Sequence, residues 1–351
     1  MKILFVLDKR MNAGSIQAVA NYIRAGDELG HAFALYGHLD PNFPCVRFST
    51  ELSSFDYVVF IIESSLGWLS ALRLPRILAS VPRRQRAILD ADGMYNRVIT
   101  VDGYDRNHAT ERDRLLWLTC YNLLADKILQ PTIAPQEPGV GTLPFYGYNP
   151  ALELPLSASP SKRFDILHVG HNWWRWREVA NDLLPAIERI RTRVGDIGFV
   201  GLWWDAAPAG AKELNLEEAF CVDPCRFQRL CIQMHPPVPY TEVIPVMSAG
   251  RVNIMTQRPL FRHLQLMTSK YFEIFAADTI PLVMLDPDHA ESVYGLAGRE
   301  LALHGEIADK LLNALYQPQK YREIVQEVRC HLVRHHSYRN RVQELVTALQ
   351  A

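Results

Sequence analysis

The sequence predicts an α/β protein of two Rossmann-like, doubly wound domains facing each other across a cleft. Three observations carry this. A chain of 351 residues exceeds one ordinary core, since domains run at roughly 100–200 residues. Short apolar runs alternate along it with stretches of helical period, as in a parallel sheet covered on both faces. A proline- and serine-rich break at residues 145–163 interrupts that rhythm, which then starts again.

The first series opens with residues 2–8 (KILFVLD), a short apolar run that reads as a strand buried on both faces. A loop containing Asn12, Ala13 and Gly14 follows. Ile16, Val19, Ala20 and Ile23 then recur at helical spacing, and Gly30 is placed to cap that helix. Residues 32–37 give the second strand, completing a right-handed βαβ unit. Strands are expected at 55–62, 86–90 and 127–130, with helices at 67–80 and along the face marked by Leu116, Cys120, Leu123 and Leu124.

The second series begins with a strand at 164–169 (FDILHV) closed by Gly170. A helix at 179–191, strands at 197–202 and 252–255, a helix at 269–277 and a strand at 280–285 follow. Ile324, Val328 and Leu332 mark one terminal helix, and Val342, Leu345, Val346 and Leu349 another. His335, His336, Ser337 and Tyr338 lie at the kink between them. The expected division is residues 1–150, residues 151–330, and a terminal helix at 331–351 that crosses back to the first domain.

Composition removes several classes of function. Basic and acidic side chains number 37 and 38, and the split is 15 to 15 in the first 150 residues and 22 to 23 in the rest. Neither half is a basic cloud, which disfavours a nucleic acid or an anionic membrane held by bulk charge. No run reaches the ~18 apolar residues of a membrane span, and the short apolar start is followed by Asp8, Lys9 and Arg10 rather than a cleavage site. Six cysteines in so long a chain point to reduced thiols and a cytoplasmic protein. Cys221, Cys225, Cys231 and His235 lack the spacing of short zinc knuckles and read as thiols, so no metal is expected.

Four stretches carry a resemblance. Residues 1–37 follow a strand, Gly-containing loop, helix and Leu-Gly-His pattern. Residues 164–178 (FDILHVGHNWWRWRE), 268–285 (TSKYFEIFAADTIPLVML) and 335–341 (HHSYRNR) follow in order. Together they resemble the GT-B glycosyltransferases, in particular the CgeB-like members of the group 1 family. The resemblance implies a metal-independent transferase whose donor substrate is a nucleoside-diphosphate sugar and which needs no further cofactor. Glu273 resembles the glutamate that holds the ribose of that donor. The chain departs from the wider superfamily at Gln265, where many retaining members carry a carboxylate eight positions before the ribose glutamate. Asp278 and Thr279 also replace a usual small pair.

The residues themselves suit that chemistry. A helix starting near Thr268 and Ser269 turns backbone amides and a positive dipole end toward a diphosphate. Lys270 adds a charge there, and Glu273 one turn on can accept two hydroxyl hydrogen bonds. In the loop after residue 169, Gly170 lets a phosphate approach the backbone beside His171, a further donor-binding candidate, and Arg175 or Arg177 can fork onto its oxygens. Three tryptophans in that loop pack a domain face or stack on a base. In open α/β sheets ligands bind beyond the carboxyl ends of the strands. This puts Gly14 near the cleft and makes Asp90, Asp92 and Glu63 candidates for the general base that activates an acceptor. The acceptor is a small molecule, a glycan or another hydroxyl- or amine-bearing compound. Three alternatives stay open: a nucleotide-sugar 2-epimerase-like isomerase, a sugar-nucleotide-binding protein without chemistry, and, disfavoured by the even charge, a transferase that modifies nucleic acid.

Overall fold

The computed structural model describes the chain except for residues 9–13, 64–73, 158–161 and 214–215. The predicted loop residues Asn12 and Ala13, the start of the helix predicted at 67–80 and part of the 145–163 break lie outside the described residues.

Two parallel sheets form the frame. The first has the order β3-β2-β1-β4-β5-β8-β9, built from β1 (Lys2–Val6), β2 (Ala32–Tyr36), β3 (Phe48–Ser49), β4 (Tyr57–Ile62), β5 (Arg86–Asp90), β8 (Lys127–Gln130) and β9 (Val140–Thr142). Two short strands between β5 and β8, β6 (Thr100–Val101) and β7 (Asp105–Arg106), pair with each other as an antiparallel hairpin outside the sheet. The second sheet has the order β12-β11-β10-β13-β14, from β10 (Phe164–Val169), β11 (Ile197–Val200), β12 (Ile232–His235), β13 (Gly250–Met255) and β14 (Ile280–Val283). All pairings within both sheets are parallel. The central strands are apolar throughout because helices cover both faces, so alternation is lost. The strand order reverses between β1 and β4 and again between β10 and β13, and those switch points are where such sheets bind ligands.

The helix after β1, α1 (Gly14–Leu29), ends at Gly30, whose φ of 76° supplies the left-handed cap. Two long helices close the chain, Pro318–His335 and Tyr338–Gln350. They break at the predicted kink, where the Ser337 hydroxyl accepts from the Asn340 amide and caps the last helix.

This kink ties the two sheets together. Tyr148 N donates to His336 O at 2.7 Å, and Arg341, almost fully buried, donates to Tyr146 O at 3.1 Å. Tyr338 packs edge-on against Tyr22 of α1. Arg329, also buried, holds the linker and the second domain together by donating to Phe275 O, Ala277 O and Leu154 O. Buried guanidinium groups are costly unless their N–H groups are matched: Arg329 meets three carbonyls and Glu153, and Arg341 meets the Tyr146 carbonyl, Glu344 and His336 Nδ1. No described helix is long and apolar enough to cross a membrane.

Candidate active site

The loops beyond β10, β11 and β12 and the segment 268–273 enclose a cavity of about 150 Å3. Gly170, His171, Arg175, Thr268, Ser269, Lys270 and Glu273 line it, and Gly14 of the first domain closes it from across the cleft. Eight of the nine residues expected to hold the donor therefore meet in one place.

Two glycines make room for a ligand. A Cβ on Gly170 would meet His168 Nε2 at 3.2 Å and Lys270 Cε at 3.3 Å. Gly201, at φ 152°, lies back to back with it: a Cβ there would stand 2.6 Å from the Gly170 carbonyl carbon. Only residues without a side chain allow β10 and β11 to end so close together.

The charges are arranged by burial. Lys270 donates to Val169 O, and burial lowers its pKa to about 8. Arg175 is 9% exposed and donates to His171 O at 2.9 Å; burial lowers it to about 10. Burial raises the Glu273 carboxyl, opposed by Lys270 and by a hydrogen bond from Ser269. Leu202 N donates to His171 Nδ1 at 3.0 Å, and burial together with Lys270 and Arg175 lowers this imidazole to about 4. His171 is thus neutral near pH 7, and its other nitrogen carries the proton and can donate. Beneath Gly170, burial takes His168 to about 3, with Nδ1 bonded to Ile254 O at 2.9 Å.

In the segment 268–273, the amides of Tyr271, Phe272 and Glu273 are already used on the carbonyls of Thr268 and Ser269. The turn therefore brings a carboxylate and an ammonium to one wall, with the Thr268 and Ser269 side chains beside them. The opposite wall is apolar: Val200, Pro237, Val238 and Val243, with Tyr240 at its edge. A site with two cations, one carboxylate and an apolar slot can take a flat ring, a diol and an anion in sequence. Sequence reasoning missed Gly201 and the Pro237–Tyr240 wall because β12 was hidden under the reading of cysteines and His235. Among the described residues no cluster of three His, Cys, Asp or Glu side chains could hold a metal, and the six cysteines are free.

Arg177 is a correction. It turns away from the cavity, pairs with Glu218 and lies over the Tyr104 ring at 4.1 Å. The tryptophans are settled likewise: Trp174 is buried against Tyr104 and Phe220, not open to a base. Its backbone sits at φ 60°, a left-handed conformation costing a bulky residue roughly 1–3 kcal/mol.

The acidic candidates separate. Asp90 is a second correction. It is fully buried at the end of β5 and accepts from Met94 N, Tyr95 N, Tyr121 Oη and Gln130 Nε2, all at 2.8–2.9 Å. A carboxylate with four donors is a fold anchor with no lone pair left for a substrate proton. Asp92 lies two residues on, in the turn whose Gly93 would carry a Cβ only 2.5 Å from Leu264 Cδ1 of the second domain. Glu63 follows β4. Its Oε1 is 3.5 Å from the hydroxyl of Tyr146, the ring nearest Gly14 after Ser269.

A larger cavity, about 840 Å3, runs along the flank of α1 between Ala20, Ile23 and Leu154 on one side and Tyr240, Ile244 and Pro245 on the other. It lacks the convergence of cations with Glu273, so chemistry rather than volume selects the smaller site.

Comparison with known proteins bears on the fold that frames this cavity. Residues 177–347 match the family described as glycosyl transferase-like. No curated protein sequence matches the chain. Among solved structures, the DNA-modifying enzyme β-glucosyltransferase, studied with and without uridine diphosphoglucose, superposes with a TM-score of 0.60 at 12% identity, covering 100% of both chains. T4 phage BGT in complex with UDP and Mn2+ gives 0.58 at 12% identity, again over 100% of both chains. An α-glucosyltransferase bound to UDP and a 13-mer DNA gives 0.64 at 10% identity and the same coverage. At such identities the likeness is one of fold, the GT-B arrangement of two facing Rossmann-like domains.

Proposed function

We propose that this chain, a glycosyltransferase of the GT-B fold, takes its sugar from a uridine-diphosphate sugar bound on the second domain and delivers it to a hydroxyl or amine presented by the first. The observation that carries the reading is the meeting of Gly170, Arg175, Lys270 and Glu273 in one cavity closed by Gly14. Glu273 accepts from the ribose hydroxyls. The diphosphate lies against Gly170, with the neutral His171 as donor and Lys270 and Arg175 as counter-charges. The base occupies the slot between Val238, Val243 and Tyr240. The uridine preference is supported by the structural relatives solved with UDP or UDP-glucose.

As the bond to the anomeric carbon breaks, charge gathers on the leaving diphosphate. Two preset cations in a part-buried site stabilise it more than water would, so the protein's own side chains supply the neutralisation in this reading, without a metal. Cleft closure keeps water from the donor. On the acceptor side the base is Glu63 or Asp92, each at the carboxyl end of a first-sheet strand.

A thermal-shift panel of UDP-, GDP- and dTDP-sugars tests the donor, since a bound ligand raises apparent stability by mass action. A shift with UDP-sugars alone is expected. Incubation of the preferred donor with small-molecule, glycan and hydroxymethylated DNA acceptors then tests transfer. Interconversion of the sugar without UDP release would make the protein an isomerase instead. Binding with no turnover on any of these would make it a binding protein.

A further inference from the structure

The hairpin β6–β7 belongs to the first domain but buries Tyr104 and Asp105 against the second. Asp105 is fully buried and accepts from Arg258 Nε at 2.9 and 3.1 Å and from Leu260 N at 2.8 Å. Arg258, which follows β13, donates back to Arg106 O at 3.0 Å. The hairpin and the loop beyond β13 are therefore joined by a two-pronged, buried ion pair, the kind whose geometry is strongly specified.

Trp174 is held in the same clamp. The Tyr104 ring stacks on it with centroids 6.2 Å apart, and the Arg258 guanidinium lies 5.4 Å from its ring. Trp174 N donates to Ala219 O at 2.9 Å. Its left-handed backbone bends the chain directly before Arg175, which reaches back to His171 O. A strained residue persists only where its surroundings over-determine it, and one wall of those surroundings, the Tyr104 ring, comes from the other domain.

We propose that Tyr104 and Asp105 are positioning residues for the donor site: through Trp174 and Arg258 they hold the loop carrying Gly170, His171 and Arg175 in the shape that receives a diphosphate. This rests on the donor reading above. The first domain then does more than present the acceptor. Undocking of its hairpin relaxes Trp174 and withdraws the phosphate contacts, while the wall formed by Glu273, Val238 and Val243 stays in place. Diphosphate affinity and domain closure become one equilibrium.

Tyr104→Ala is the better probe, because Asp105→Asn leaves Arg258 buried without its counter-charge and endangers folding. The full-length variant, checked for native circular dichroism and a cooperative melt, is titrated with UDP by calorimetry. Uridine, which lacks the diphosphate, is followed by saturation-transfer NMR. UDP affinity is expected to fall roughly ten-fold or more, with uridine unaffected. Tyr104→Phe keeps the ring and should bind UDP like wild type. Tyr104→Ala added to Trp174→Ala should cost nothing beyond Trp174→Ala alone. A folded Tyr104→Ala that binds UDP with wild-type affinity overturns the proposal while leaving the donor site standing. So does equal loss of UDP and uridine, which would mean general destabilisation of the second domain. Failure of wild-type protein to bind UDP overturns both.

Discussion

A Cβ on Gly14 would stand 2.7 Å from the Cβ of Ser269 and closer still to its hydroxyl. Gly14 begins α1 of the first domain, and Ser269 belongs to the donor wall of the second. The cleft therefore closes here until the Gly14 backbone meets the Ser269 side chain, and glycine is required by proximity rather than by an unusual φ. Gly14→Val should force the domains apart or push Ser269 off Glu273. We expect weaker UDP binding with little change in melting temperature, because the position packs in neither core. Unaltered UDP affinity measured by calorimetry would mean that the domains do not close there during binding.

The pH dependence of donor binding should report Lys270. Its pKa in the free protein is lowered to about 8 by burial. A diphosphate binds the protonated form, so affinity is full below that value and falls as pH rises past it. Lys270→Arg should hold UDP affinity flat over the same range, since guanidinium does not deprotonate there. A wild-type profile that stays level from pH 7 to 9.5 would remove Lys270 from the diphosphate site.

Asp90, Asp92 and Glu63 should behave as two kinds of residue. Asp90→Asn turns one of the two acceptor oxygens into a donor facing the amide of Met94 or that of Tyr95, and should cost stability, roughly 1–3 kcal/mol, with turnover per folded molecule retained. Glu63→Gln or Asp92→Asn should lower kcat at saturating donor with little loss of melting temperature. Turnover and melting curves on the three variants decide it. A folded Asp90→Asn with abolished turnover would restore it as a catalytic candidate.

Much of the frame was legible from the chain because burial writes itself directly into sequence. β5, β8 and β10 fall where their apolar runs end, and the kink at Ser337 follows from a capping side chain. The donor wall was legible as well: Thr268, Ser269, Lys270 and Glu273 are local to one turn, and Gly170 and His171 follow a strand. Contacts made across the fold were not. Asp90 looks like a cleft carboxylate until Tyr121 and Gln130 arrive from other elements. Arg177 looks like a phosphate ligand until Glu218 and Tyr104 take it. The β6–β7 hairpin is too short to carry a period, and its role depends on Arg258, some 150 residues away. The Cys221–His235 stretch drew attention to sulfur and hid β12, whose loop forms the apolar wall of the cavity.

The most direct test of the account is the UDP affinity of Glu273→Ala beside that of wild type, measured by calorimetry on protein shown to be folded. Loss of the ribose hydrogen bonds should cost roughly 1.5–3 kcal/mol, a fall of about ten- to a hundred-fold in affinity. Equal binding by the two proteins would contradict the assignment of this cavity as the donor site.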